Sequence, residues 1–155
     1  FQQTAGVEGV QSMAATRTWR LMALDERVRA GVAVACLTRY QNLIAHRALA
    51  AHGIYYYVPG VLQDFDTEAI VSLIAPRAIL FLTGDRDVAS PPDGIRRIAS
   101  VVRRVYDLYG RRPHFRSRLY RGVGHDYLPE MWAETMRWMD RHVGKVPASA
   151  RRGKR

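Results

Sequence analysis

The sequence predicts one α/β domain in which parallel strands alternate with helices on both faces of a sheet. Three observations support this fold class. Helical and strand patterns alternate along the chain, as they do where crossover helices connect parallel strands. Residues 30–37 are continuously apolar, which is typical of a central strand covered on both faces. The 155 residues are 48% hydrophobic and 25% charged, a balance found in globular domains and not in disordered chains.

Local patterns predict three strands, four main helices and one irregular segment. Apolar runs indicate the strands, apolar residues at helical spacing indicate the helices, and Pro, Gly or a capping Asp marks most of the ends. In chain order we expect a helix at 13–24, a strand at 30–37, an excursion over one end of the sheet at 38–63 with a short helix at 42–51, a helix from Asp66 to Pro76, a strand at 78–83, a helix from Pro91 to Gly110, a strand at 115–121 near a sheet edge, and a helix from Pro129 to Gly144.

The same spacing predicts which helix faces are buried. The expected buried residues are Ala15, Trp19, Met22 and Ala23 in the helix at 13–24, Ile70, Leu73 and Ile74 in the helix after Asp66, Ile95, Ile98, Val102, Val105, Tyr106 and Tyr109 in the helix after Pro91, and Trp132, Met136, Met139 and Val143 in the last helix. Glu134 is expected on the exposed face of the last helix. The residues before Ser12 show no clear strand, so we expect none there.

The formal net charge is +10, which raises the question of a nucleic-acid partner. Arginine supplies all 24 basic residues except Lys145 and Lys154, a skew more typical of coding bias than of a binding surface. Residues 144–155 carry half of the net charge without an apolar period, so we expect a domain at 1–143 and a basic, disordered tail. We expect no nucleic-acid partner. The competing basic module would show salt-dependent binding that is lost with the tail.

Other features restrict the class of protein further. Cys36 is the single cysteine, which excludes a disulfide scaffold. The longest apolar run is too short to cross a bilayer and no signal peptide opens the chain, so we expect no membrane partner. The chain begins with Phe1 and not Met, which indicates a processed, trimmed or fragmentary product. Its compartment is not predicted, because a targeting signal would precede Phe1.

Two loops that follow predicted strands carry candidate catalytic residues. Asp85 and Asp87 follow the strand at 78–83, and His125 follows the strand at 115–121. Chemistry in parallel sheets collects just past the carboxyl ends of the strands. An Asp and a His in these positions indicate the orienting acid and the general base of a Ser-His-Asp triad. Ser12 lies upstream of both, immediately before the first helix, and completes the chain order Ser, Asp, His.

Three segments carry a resemblance to a known family: Ser12 with the helix after it, the sequence GDRD followed by two prolines, and the sequence GVGHDYLPEMW around His125. Together and in this order they resemble α/β-hydrolases, in the branch that holds dienelactone hydrolase-like, acetyl xylan esterase-like and prolyl-oligopeptidase-like serine hydrolases. The resemblance covers about residues 6–143. It corresponds to the C-terminal half of such a domain, from the nucleophile elbow onward.

The resemblance implies a serine hydrolase that acts on carboxylic esters and needs neither cofactor nor metal. In that pattern Ser12 is the nucleophile, His125 the general base and Asp87, rather than Asp85, the orienting acid. The backbone N–H of Met13 supplies one oxyanion donor. A second donor comes from a loop after an earlier strand, and the sequence predicts no earlier strand.

The nucleophile turn departs from the family's Gly-x-Ser-x-Gly pattern. Two residues separate Gly9 from Ser12, one more than the pattern has, and Ala14 stands where the second glycine is expected. Small residues at these positions let the helix approach the strand. The departure predicts either a distorted turn or an altered amino-terminal sequence.

Each candidate also has a simpler structural interpretation. Ser12 fits an ordinary helix N-cap, either Asp could cap the helix near Pro91, and His125 could be a loop histidine. Residues 55–57 are tyrosines that either line a substrate pocket or pack a cap. The other histidines lack metal-ligand spacing, so we expect no zinc site; they are His46, His52, His114 and His142.

Two alternatives to an active esterase stay open at this point. The chain could be a catalytically silent half-domain that is stable only with a missing amino-terminal segment or as a homo-oligomer, because a bare strand edge and apolar face promote association. A serine peptidase of the prolyl-oligopeptidase-like type would use the same catalytic apparatus. The sequence does not identify the substrate.

Overall fold

The computed structural model describes residues 7–144, with side chains from Gln11 onward. The predicted tail therefore lies outside the described residues, apart from Gly144. The strands within this range are β1 (Val7–Gln11), β2 (Ala30–Val34), β3 (Ala78–Gly84) and β4 (Phe115–Tyr120), and the α-helices are α1 (Met13–Leu24), α2 (Tyr40–Ala45), α3 (Thr67–Ser72), α4 (Pro92–Leu108) and α5 (Pro129–His142).

The strands form one parallel sheet in the order β1-β2-β3-β4. Every residue of β2 and β3 is buried, as their continuous apolar sequences predict. The expectation that no strand precedes Ser12 is wrong, because β1 pairs with β2 from Val7–Ala30 to Gln11–Val34. The sequence of β1, VEGVQ, has weak strand character of its own. Pairing with a buried neighbour stabilises the extended backbone there.

Helices cover both faces of the sheet, which confirms the predicted architecture. On one face, Ala33, Ile79 and Phe81 pack in a core with residues of α1, α3 and α4. On the other face, Val32, Val34, Leu80 and Leu82 pack with α5. Alternate residues of one strand point to opposite faces, so the two cores share the same strands. Because all four strands are parallel, their carboxyl ends lie at one edge of the domain.

The predicted buried face of α5 is wrong at three of its four residues; the fourth, Met139, is partly buried against the core. Trp132 is 57% exposed and Met136 is 40% exposed, whereas Met131 and Trp138 are buried against the sheet. Val143, also predicted to be buried, is exposed as well. The helix is therefore rotated from the expected orientation, and the face that includes Glu134 meets the sheet.

Glu134 can lie in this interface because arginine and tyrosine side chains of β4 pair with its carboxylate. Its Oε2 accepts hydrogen bonds of 2.7 Å from the Tyr120 hydroxyl and from Arg118, and Arg116 forms an ion pair at 3.1 Å. Burial raises the pKa of Glu134, but the Tyr120 hydroxyl and the two guanidinium groups together lower it by more than burial raises it. The pKa of Glu134 is therefore below its usual range. A buried charge with these partners is retained in its ionised form.

The shorter elements also differ from expectation. The helix predicted at 42–51 is α2, which ends at Ala45, and single turns of 3-10 helix follow it in the excursion. Leu73, which directly follows α3, is exposed although its spacing predicts burial, while the Asp66 cap is confirmed by its hydrogen bond from the Thr67 N–H. Tyr109, predicted to be buried, is 58% exposed. Within residues 7–144, no helix is long and apolar enough to span a membrane.

Candidate active site

Ser12 occupies a tight turn between β1 and α1. Its backbone has φ 58° and ψ −126°, a conformation that residues other than glycine adopt only with strain. The turn is tied to the sheet by the Ser12 N–H, which donates to the Val34 carbonyl at 2.8 Å. The Ser12 side chain does not cap α1, so the simple N-cap interpretation is wrong. A strand, a strained serine and a helix thus follow one another here although the sequence lacks the Gly-x-Ser-x-Gly pattern.

Asp87 and His125 are in direct contact. His125 Nδ1 lies 2.9 Å from Asp87 Oδ2. The Asp87 side chain is fully buried, whereas that of His125 is 41% exposed. Because a carboxylate only accepts, the hydrogen-bonded Nδ1 of a neutral His125 carries the proton, and Nε2 is left as the basic nitrogen. The acid is thus enclosed while the imidazole faces solvent.

The loop after β3 holds Asp87 in this position. The second carboxylate oxygen of Asp87 accepts a hydrogen bond of 2.9 Å from the Ala89 N–H. Asp85 has a different partner: its carboxylate accepts from the Gly122 N–H at 2.7 Å. Neither aspartate caps α4, whose N-terminus has no side-chain cap. The structure therefore brings Asp87, and not Asp85, to His125.

Gly84 permits the loops after β3 and β4 to touch through their backbones. A Cβ atom at this residue would lie 2.2 Å from the Val123 carbonyl oxygen and 2.3 Å from that of Gly124. The Arg86 N–H donates to the same Val123 carbonyl at 2.8 Å. Only a residue without a side chain fits this approach. The glycine of the GDRD sequence is thus a packing residue next to the candidate site.

The serine turn and the histidine loop are neighbours. The side chain of Gln11, the residue before Ser12, donates to the His125 backbone carbonyl at 3.2 Å. Met13 begins α1, and its side chain is 58% exposed. The first N–H groups of a helix have no acceptor within the helix and favour negative charge. The ends of β1, β3 and β4 thus contribute the three predicted residues to one edge of the sheet.

Sequence reasoning missed His52, which lies beside the Asp87 loop. Its Nε2 is 2.7 Å from the Ala89 carbonyl, and its ring stacks on Tyr56 with 4.2 Å between the ring centres. Burial lowers the pKa of His52, and the neighbouring charge of His125 acts in the same direction. No local motif marks this residue, because its partner is a backbone carbonyl in another loop.

The remaining candidates lie in other surroundings. Tyr56 is fully buried and donates to the Thr38 carbonyl at 3.1 Å, which is the behaviour of a packing residue. His46 pairs with Asp93 on the surface at 3.1 Å. Burial raises the pKa of Cys36, so its thiol stays protonated. In the part of the chain that the structure describes, no three His, Cys, Asp or Glu side chains gather closely enough to hold a metal ion.

Comparisons with known proteins agree with the motifs. No family model matches the chain. The chain is 37% identical over 95 residues to the protein described as “Putative hydrolase YtaP” from Bacillus subtilis (strain 168), an alignment that covers 61% of this chain and 32% of that protein. The chain is therefore similar in sequence to a protein described as a hydrolase, in line with the resemblance to α/β-hydrolases that the motifs carry.

Solved structures of esterases share the fold. A glucuronoyl esterase of carbohydrate esterase family 15 from Caldicellulosiruptor kristjansonii matches with a TM-score of 0.70 and 18% identity, over 91% of this chain and 44% of that one. The methylesterase BT1017 matches with a TM-score of 0.60 and 20% identity, over 86% of this chain and 29% of that one. The chain thus has part of an α/β-hydrolase fold and spans less than half the length of these relatives.

Proposed function

We propose that the chain carries the Ser-His-Asp triad of a serine hydrolase that cleaves carboxylic esters. Ser12 is the nucleophile, His125 the general base and Asp87 the acid that orients it. The observation that carries this proposal is the 2.9 Å contact between His125 and buried Asp87, next to a strained serine turn. The hydrolase and esterase names of the relatives support the same class of reaction.

The first half of the proposed reaction transfers the acyl group to the enzyme. Ser12 Oγ attacks the ester carbonyl carbon while its proton passes to His125 Nε2, which gives a tetrahedral intermediate. The carbon–oxygen bond to the alcohol then breaks, and the alcohol leaves with the proton from His125. Asp87 holds the Nδ1–H throughout and stabilises the imidazolium, and it stays ionised itself.

Water completes the reaction. His125 Nε2 removes a proton from a water molecule, whose oxygen attacks the acyl-serine carbonyl. Collapse of the second tetrahedral intermediate releases the carboxylic acid and returns the proton to Ser12. The Met13 N–H is the proposed donor to the negative oxygen of both intermediates, aided by the positive end of the α1 dipole.

Labelling with a fluorophosphonate probe tests the proposal. We expect the probe to modify Ser12 in the wild-type chain, with the labelled peptide identified by mass spectrometry. Ser12→Ala and His125→Ala should abolish labelling, because one removes the nucleophile and the other its base. Ser100→Ala, at an exposed position of α4, is the matched control and should label like the wild type.

Circular dichroism on the same samples separates loss of chemistry from loss of fold. A folded wild-type chain in which Ser12 stays unlabelled would contradict the proposal and favour a catalytically silent domain. For a chain that labels, paired ester and amide substrates with the same acyl group distinguish an esterase from a peptidase. Because the structural neighbours are named as a methylesterase and a glucuronoyl esterase, methyl esters and esters of glucuronic acid are the first to test.

A further inference from the structure

His52 is joined to the Asp87–His125 pair by a short chain of hydrogen bonds. Its Nε2 contacts the Ala89 carbonyl at 2.7 Å, the Ala89 N–H donates to Asp87 Oδ1 at 2.9 Å, and Asp87 Oδ2 contacts His125 at 2.9 Å. The two histidines are therefore connected through the backbone of Ala89 and the carboxylate of Asp87. The Ala89 carbonyl accepts the bond from His52, and the Ala89 N–H donates to Asp87.

The direction of these bonds is fixed by chemistry. A backbone carbonyl has no proton, so His52 Nε2 is the donor to Ala89. Burial lowers the pKa of His52, which favours its neutral form in this position. The charged groups that act on it come from three elements: Asp87 after β3, His125 after β4 and Arg20 in α1. Asp87 favours protonation of His52, while His125 and Arg20 oppose it.

The far side of His52 is anchored by the excursion. Its ring stacks on Tyr56 at 4.2 Å with 28° between the planes. Tyr56 is fully buried, and its hydroxyl donates to the Thr38 carbonyl just after β2. The position of His52 is thus determined by packing on one side and by a single backbone acceptor on the other. A side chain held in this way can restrain the loop after β3, whose conformation would otherwise be stabilised only by hydrogen bonds within the loop itself.

We propose that His52 is a positioning residue for the Asp87–His125 pair: its Nε2–H holds the Ala89 carbonyl, and through the backbone of Ala89 the N–H that bonds Asp87, so that Asp87 points at His125. The proposal rests on the function proposed above. His52 forms no bond to the substrate in this scheme and acts through Asp87. The excursion between β2 and α3 is thereby part of the support of the catalytic acid.

Two substitutions separate the hydrogen bond from the packing. His52→Phe keeps a ring that can stack on Tyr56 but cannot donate to Ala89. His52→Gln loses the ring but supplies an amide N–H that can reach the same carbonyl. His46→Gln is the matched control, because His46 likewise forms a hydrogen bond through Nε2, but to the Asp93 carboxylate on the surface.

The first measurement is the rate of fluorophosphonate labelling at Ser12 as a function of pH. We expect His52→Phe to lower the maximal rate about tenfold and to move the midpoint of the profile towards lower pH, since a poorly held Asp87 stabilises the imidazolium less. His52→Gln should keep the maximal rate within about threefold of the wild type and leave the midpoint in place, and His46→Gln should change neither. A role in folding alone would reduce the amount of reactive protein and leave the midpoint unchanged.

The second measurement does not depend on Ser12. The proton on His125 Nδ1 is observed by proton NMR, assigned by its loss in His125→Ala. We expect this signal to be lost or broadened in His52→Phe and retained in His52→Gln. If the wild type shows the signal but no labelling, the proposed function fails while the positioning role is still tested. An unchanged signal in a folded His52→Phe variant would overturn the inference.

Discussion

Replacement of Gly84 by alanine tests how closely the two site loops must approach. The added Cβ would lie 2.2 Å from the Val123 oxygen, 2.3 Å from the Gly124 oxygen and 2.6 Å from the Val123 carbonyl carbon. Ordinary contacts of this kind are about 3.5 Å, so the loop after β4 must move by roughly 1 Å. Both neighbours are backbone atoms, and a rotamer change cannot relieve the overlap.

The energetic cost follows from what this movement disturbs. Overpacking of a well-packed region costs about 1–3 kcal/mol. The movement also strains the 2.8 Å hydrogen bond from the Arg86 N–H to the Val123 carbonyl and the 2.9 Å bond from the Asp85 N–H to the Tyr120 carbonyl, each worth about 1 kcal/mol. We therefore expect Gly84→Ala to lower the free energy of unfolding by about 2–4 kcal/mol. A displacement of this size at His125 would also lower the labelling rate of Ser12 by about 100-fold.

Urea denaturation followed by tryptophan fluorescence measures the first effect, and fluorophosphonate labelling of the folded fraction measures the second. Gly124→Ala is the matched control in the same loop, because its Cβ would meet only Asp126 Oδ2 at an ordinary 3.5 Å. We expect the control to change stability by less than about 1 kcal/mol. If Gly84→Ala unfolds and labels like the wild type, the close approach of the two loops is refuted.

Three further predictions concern the packing of helices in the fold. Glu134→Gln should lower the free energy of unfolding by about 1–3 kcal/mol at pH 7. Because the folded-state pKa of Glu134 is lowered, the stabilisation that its carboxylate gives is lost as pH falls through that pKa. Urea titrations in which the difference between wild type and variant stays constant down to about pH 3 would contradict this. Trp138→Ala should cost about 3–5 kcal/mol and Trp132→Ala less than about 1 kcal/mol, so equal thermal shifts would refute the assigned face of α5. Asp66→Ala should cost about 2–4 kcal/mol in chemical denaturation, since its carboxylate accepts from three backbone N–H groups, and Asp66→Asn should recover part of this loss.

The parts of the fold with strong local patterns were predictable from the sequence. The bounds of α1 match the predicted helix at 13–24, and β3 extends the predicted strand at 78–83 by one residue. Periodicity, apolar runs and turn residues are local signals, and the sequences of α1 and β3 contain them. The meeting of Asp87 with His125 was predictable for a related reason: the carboxyl ends of parallel strands lie at one edge of a sheet.

The errors occur where long-range contacts decide the outcome. β1 is extended because β2 pairs with it, which no property of VEGVQ indicates. The orientation of α5 depends on Tyr120 and two arginines of β4, which make burial of Glu134 favourable. His52 likewise owes its place to a carbonyl 37 positions further along the chain. In each case the partner is distant in sequence, so a local pattern could not reveal it.

The parallel sheet also has a consequence for the order of folding. Gln11 and His125 are 114 positions apart, yet they are in contact, and every strand pair in between needs a crossover connection before it can form. Closing such long loops is entropically costly, so contacts of this separation form late. Trp19 is buried in the core between α1 and the sheet. During refolding, its fluorescence should recover before Ser12 becomes reactive. Reactivity of Ser12 would then report that the last loop of the chain has docked.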